Sequence, residues 1–191
     1  MTRPIVGRAT YEDLRRVPDH LVAEIIDGEL FTTPRPATPH AYVISGLTAE
    51  ISIPFSRGRG GPGGWWILVE PELHLGEDVV VPDLGAWRHT TLPVIPNAPY
   101  LLTPPDWVCE VLSPSTERLD RARKLGIYAR ERIGFVWLIN PRTLTLEVFR
   151  LGGDGWSLVA AHSDTDVVRA QPFEAIELDL GSLWLPEKPL A

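Results

Sequence analysis

Residues 107–139 decide the fold; they read WVCEVLSPSTERLDRARKLGIYARERIGFVWLI. The first six are apolar except for Glu110 and are rich in aromatic and β-branched types, so 107–112 is predicted as a strand. Ser113 or Ser115 can cap a following helix and Pro114 suits its first turn. Leu119, Ala122, Leu125 and Ala129 recur at helical spacing, which predicts a helix over 114–132 with those residues as its core stripe. FVWLI at 135–139 is a second apolar strand, so the segment forms a strand, helix, strand crossover.

Downstream, 144–150 and 156–160 flank Gly152-Gly153-Asp154-Gly155 as an antiparallel hairpin, and the tail over 173–184 is weakly patterned. Upstream, 65–75 and 78–87 read as two strands joined by Gly76-Glu77, with Pro82 marking an edge or strand end before Asp83. The segment SRGRGGPGG at 56–64 has five glycines and is predicted as a mobile loop. Pro34, Pro36 and Pro39 break the chain before an amphipathic helix over 42–53, and 22–33 is predicted as a hairpin about Asp27-Gly28. Thr10 can cap a short helix over 11–16 that Pro18 stops. The mixture predicts an α+β protein with an α/β-like core, built on a mixed sheet.

At 191 residues, 44% hydrophobic and 23% charged, the chain reads as one globular domain spanning 1–191, with a core over about 10–150 and a hairpin and tail over 151–191. The single cysteine, Cys109, excludes an internal disulfide and a cysteine-based zinc site. The formal charge of -7 argues against coating nucleic acid by bulk electrostatics. The N-terminus lacks the apolar run of a secretory signal, and the longest uncharged stretch, 89–105, carries five prolines that forbid a membrane helix. A soluble, cytoplasmic protein without membrane partners is expected. A homo-oligomer, with a dimer favoured, is expected from the base rate, and the seven tryptophans offer contact surface.

Chemistry concentrates in two acids on apolar strands, because an ionised carboxylate there needs a partner or a cation. Asp83 ends one strand, and Glu110 sits inside WVCEVL with Cys109 and Val111 on the opposite face. Converging, they would make a hard-oxygen site suited to Mg²⁺ or Mn²⁺; apart, Glu110 could simply pair with an arginine. Asp120, Lys124 and Tyr128 share one face of the predicted helix. Of 18 basic residues only Lys124 and Lys188 are lysine, which makes Lys124 an unusual choice, although an ordinary pair with Asp120 also accounts for it. The basic segment 117–132 could hold phosphates, and Arg57 and Arg59 could close over a polyanion.

With Asp83 in VVVPDL, Glu110 in EVLSPST, and Asp120, Lys124 and Tyr128 spaced as D-x-x-x-K-x-x-x-Y, the chain resembles the Uma family of bacterial proteins, assigned to the endonucleases of the PD-(D/E)XK restriction-enzyme fold. The likeness runs over about 11–149 and takes in EIIDGEL with Glu24, His40, and VWLINP. It implies a mixed β-sheet flanked by helices, with an N-terminal hairpin. It further implies Asp83 and Glu110 as metal ligands, the Val111 carbonyl as another, and Lys124 as the catalytic lysine. That lysine usually stands two residues after the glutamate, where this chain has Leu112, and Phe135 stands where relatives often carry glutamate. Glu24, His40, Asp120 and Tyr128 are accessory candidates. His40 would contact substrate or cap its helix, and Tyr128 would bond Asp120 or a phosphate, or simply pack. The implied activity is Mg²⁺- or Mn²⁺-dependent hydrolysis of nucleic acid, DNA foremost. A nuclease fold without turnover, serving as a binding or assembly module, is the alternative, and a metal-free acid and base pair acting on sugars a third.

Overall fold

The computed structural model describes residues 7–186. After α1 (Tyr11–Leu14), whose start is closed by a capping box between Thr10 and Asp13, β1 (Leu21–Ile26) and β2 (Glu29–Pro34) form the expected hairpin. Asp27 and Gly28 both take positive φ, 54° and 81°, as a tight two-residue turn requires. Helix α2 (Thr38–Ile51) begins earlier than predicted, because Pro39 sits in its first turn, where no amide is needed, and does not break the chain.

The two strands predicted over 65–87 are four: β3 (Trp65–Val69), β4 (Leu73–Leu75), β5 (Asp78–Val80) and β6 (Leu84–Arg88). Both arms of this long hairpin are interrupted at the same level, by Glu70-Pro71-Glu72 and Val81-Pro82-Asp83. Proline cannot donate to a ladder, so each arm leaves one sheet and enters another there. Then come β7 (Trp107–Val111), α3 (Glu117–Leu119), a π-helical turn (Asp120–Lys124), α4 (Leu125–Arg130) and β8 (Phe135–Asn140), followed by the hairpin of β9 (Thr145–Gly152) and β10 (Gly155–Ser163). A short pair, β11 (Val167–Val168) with β12 (Leu178–Asp179), completes the strands.

A six-stranded sheet in the order β10-β9-β8-β7-β6-β3 carries the crossover, with β7 and β8 parallel and its other neighbours antiparallel. A four-stranded antiparallel sheet, β2-β1-β5-β4, lies against it. Alternation along β7 and β8 sorts the core into two layers. Trp107, Cys109, Val111, Trp137 and Ile139 pack with Val43, Ile44, Leu47 and Ile51 of α2. Val108, Leu112, Val136 and Leu138 pack with Ile127 and Tyr128 and with Leu73, Leu75 and Val80 of the smaller sheet.

Three expectations need correction. The core is not confined to 10–150, since Val168, Ala170, Phe173, Leu178, Leu180 and Leu183 of the tail are buried in the α2 layer. Phe173 sits among Phe55, Trp65, Trp107 and Trp137, with ring centroids 4.7 to 5.7 Å away. The tryptophans offer little contact surface: five are buried, and Trp66 and Trp156 are partly buried against the other layer. The glycine-rich segment is seated rather than loose, with Arg59 N–H on the Ile53 carbonyl and Gly63 N–H on that of Pro54. A Cβ on Gly61 would meet Pro54 at 2.4 Å, which is why glycine stands there. No helix among the described residues is long and apolar enough to cross a membrane.

Candidate active site

The two proline interruptions deliver Asp83 to the end of β6, beside the strand that carries Glu110. The Asp83 Oδ2 accepts the Val111 amide at 2.6 Å, so the two acids are held one residue apart across neighbouring strands. Glu110 is buried, pointing away from Cys109 and Val111 as alternation demands. The Lys124 ammonium faces it from the π-helical turn, 2.9 Å from Glu110 Oε1, 3.0 Å from Glu24 Oε1 and 3.5 Å from Asp120 Oδ1. A π turn adds one residue to the helical circuit and is found often at functional sites; here it carries both Asp120 and Lys124. Glu24, from β1, also accepts the Val81 amide at 2.8 Å, which ties the smaller sheet to the same cluster.

The helix over 117–130 thus buries its polar face. Asp120, Lys124 and Tyr128 are buried, whereas Ala122 of the predicted core stripe is exposed and Leu119, Leu125 and Ala129 are only partly covered. Tyr128 bonds neither Asp120 nor the surface: its buried hydroxyl donates to Glu110 Oε1. His40 lies in the first turn of α2 with Nε2 3.2 Å from Asp83 Oδ2. Glu24, His40, Asp83, Glu110, Asp120 and Lys124 line one cleft of about 220 Å³, together with residues 33–37 and 113–116; Tyr128 lies behind Glu110 and does not line it.

The electrostatics follow from burial. Desolvation pushes Glu110 well above the usual carboxylate range; Lys124 opposes it, and Asp120, Asp83 and Glu24 add to it. Asp120 is raised for the same first reason, again against the pull of Lys124. For Lys124, burial works against the charge, but Glu110 and Glu24 outweigh it and hold the amine protonated well above its ordinary range. Burial, then Glu110, keeps the Tyr128 phenol neutral, as burial, Asp83 and Glu110 keep the Cys109 thiol.

The basic helix and glycine loop are placed otherwise than expected. Arg121 pairs with Glu117 and Glu147, Arg123 with Asp27, and Arg130 with Asp78, so these three are spent on neighbouring acids. Arg57 and Arg59 belong to the loop before β3, whose first residue pairs with Arg88 at the far end of β6 from Asp83, so they do not close over this cleft. Sequence reasoning missed Arg35, Glu70, Ser113 and Thr116 of the lining. Glu70 has φ 46°, a sparsely populated conformation for a side chain of its kind, and its amide donates to the Asp83 carbonyl at 3.0 Å. The signal for it was present, since Glu70-Pro71 stands across the hairpin from Pro82-Asp83.

The fold matches a crystal structure described as "a putative nuclease belonging to DUF820" from Anabaena variabilis ATCC 29413, with TM-score 0.74 and 21% identity, covering 92% of this chain and 97% of that one. No protein with a curated description matches. The family model for Uma2, described as "Putative restriction endonuclease", matches residues 8–181. With nearly the whole chain inside that match, the chain belongs to the Uma2 family.

Proposed function

We propose that this protein is a metal-dependent endonuclease hydrolysing phosphodiester bonds of nucleic acid, DNA foremost, in the cleft between residues 33–37 and 113–116. The observation that carries the reading is the Lys124 ammonium 2.9 Å from Glu110, within a cleft that Asp83 also lines. Five carboxylates, Glu24, Glu70, Asp83, Glu110 and Asp120, line it with Lys124, three of them buried, an excess of acid that a hard divalent cation would balance. The contacts of Asp83 fall on Oδ2 and those of Glu110 on Oε1, so neither engages the other oxygen of either acid. Among the described residues no three His, Cys, Asp or Glu side chains are grouped to hold a metal by themselves. Asp83 and Glu110 would therefore share the ion with the Val111 carbonyl and water, as suits Mg²⁺ or Mn²⁺.

Such an ion lowers the pKa of bound water and polarises a phosphate oxygen. The chain's own groups do the rest. Lys124, beside Glu110 and Glu24, positions or deprotonates the attacking water and stabilises negative charge developing on the phosphate. Tyr128 and Lys124 together fix the Glu110 rotamer. Arg35 at the rim offers a phosphate contact.

Supercoiled plasmid incubated with Mg²⁺ or Mn²⁺ tests this. Wild type should nick it, EDTA should abolish nicking, and Asp83→Asn or Glu110→Gln should lower the rate by at least ~10²-fold. Equal rates in wild type and Asp83→Asn would reject hydrolysis at this site and leave a binding or assembly module; nicking that survives EDTA would reject the metal.

A further inference from the structure

Asp83 stands between β5 and β6, outside both ladders, so strand pairing does not fix its side chain. Two groups reach the same oxygen. The Val111 amide donates to Oδ2 from the sheet at 2.6 Å, and His40 Nε2 stands 3.2 Å from it on the α2 side as an ion-pair contact. One donor leaves a carboxylate free to swing about its bond to Cβ; a polar group from a second element limits that swing. With Asp83 ionised, the hydrogen of this contact has to sit on Nε2, since a carboxylate only accepts.

The other ring nitrogen of His40 is informative. The residue is 8% exposed, and Nδ1 is buried without a hydrogen-bond partner. A buried polar atom with nothing to bond destabilises a fold, and an apolar side chain of similar size would avoid the penalty. His40 does not cap α2 either: the cap position is Ala37, which makes no side-chain bond, and His40 lies inside the helix. Packing and capping therefore leave an imidazole here unexplained, while the contact to Asp83 explains it. Helix α2 lies on the face of the sheet opposite Tyr128, so His40 joins that apolar layer to the acidic cleft.

We infer that His40 is a positioning residue, donating Nε2–H to Asp83 Oδ2 and so holding the remaining oxygen of Asp83 for the divalent cation. The inference rests on the metal-dependent reading above. Partners that orient a metal-binding group typically change metal affinity ~10 to 100-fold when removed.

The test is Mn²⁺ binding to the purified full chain, followed by the paramagnetic resonance of free Mn²⁺, beside thermal unfolding without metal. His40→Leu removes the donor and the orphaned nitrogen; His40→Gln keeps an amide nitrogen as many bonds from the backbone as Nε2. His40→Leu should bind Mn²⁺ ~10 to 100-fold more weakly while unfolding at the same temperature or higher, and His40→Gln should stay within ~3-fold of wild type. Unchanged Mn²⁺ affinity in His40→Leu, with affinity lost in Asp83→Ala, overturns the inference and leaves the metal reading standing. Equal affinity in wild type and Asp83→Ala overturns both. A fall in affinity as large in His40→Gln as in His40→Leu also overturns it, because the donated hydrogen bond would then not be what matters.

Discussion

Helix α2 packs Val43, Ile44, Leu47 and Ile51 against one face of the large sheet, whereas the helix over 117–130 turns Asp120, Lys124 and Tyr128 towards the other. Hydrophobic burial is enough to dock the first. The second docks through charges taken out of water, which is favourable only where the partners on the opposing elements complete them. Glu110 on β7 and Glu24 on β1 are those partners, so the crossover and a strand from far upstream must assemble before Lys124 is tolerated. One face of the sheet is built for stability and the other for chemistry.

The largest effect should come from breaking the polar side of this contrast. Lys124→Ala leaves Glu24, Glu110 and Asp120 without their cation and is expected to cost about 3 to 5 kcal/mol in urea unfolding, together with ~10²-fold or more in cleavage. Replacing the cluster as a unit, with Glu24→Gln, Glu110→Gln, Asp120→Asn and Lys124→Met, should regain most of that stability without regaining cleavage, because neutral groups of similar volume need no counter-ion. Failure to regain it would mean that the ions themselves hold the helix in place.

On the apolar side, Leu47→Ala removes a side chain with no exposure and should cost about 2 to 5 kcal/mol through the cavity left behind. Its Mn²⁺ affinity should equal that of wild type, measured well below the unfolding transition. Similar losses of stability, with cleavage lost in Lys124→Ala and Mn²⁺ affinity kept in Leu47→Ala, would separate the two layers; a fall in the affinity of Leu47→Ala would join them through His40.

What the sequence made legible follows the same division. The α2 stripe, the Asp27-Gly28 hairpin and the crossover from β7 to β8 are carried by apolar periodicity and turn residues within a few positions of each other. Asp83, Glu110 and Lys124 stood out by their chemistry, as charges out of place on apolar strands or as a lysine among arginines, but it was the family resemblance that grouped them as a site over ordinary ion pairs. The orientation of 117–130 was not legible, because the preference for Lys124 inside depends on Glu24, a hundred residues upstream. Nor was the role of Phe173, an isolated aromatic in a segment without period, whose ring neighbours arrive from the turn after α2 and from β3, β7 and β8. Pro82 announced a break, whereas Pro71 falls inside a single predicted strand; that breaks at both positions coincide and switch sheets is a property of the pairing register.

A smaller effect sharpens the contrast within one helix. Arg121 pairs with Glu117 and Glu147 at a side-chain exposure of 36%, on the same helix as the buried Lys124. Water and salt screen such pairs, so Arg121→Ala should cost only about 0.2 to 1 kcal/mol, and less as ionic strength rises. A loss approaching that of Lys124→Ala would show that exposure is a poor guide to these charges.

The smallest expected effect is the most direct test of which way the helix faces. Ala122 belongs to the apolar stripe read from spacing, yet it is exposed, two residues from the buried Lys124. Ala122→Glu at a solvated helical position exchanges one good helix former for another and should change stability by no more than about 0.5 kcal/mol. Were the stripe turned inward, the same carboxylate would be buried in apolar surroundings and would cost several kcal/mol or leave the chain unfolded. A neutral Ala122→Glu beside a damaging Lys124→Ala can hold only if the charged face is the one that docks. A damaging Ala122→Glu would rotate the helix by about half a turn and withdraw the Lys124 ammonium from Glu110, and the nuclease reading would fail with it.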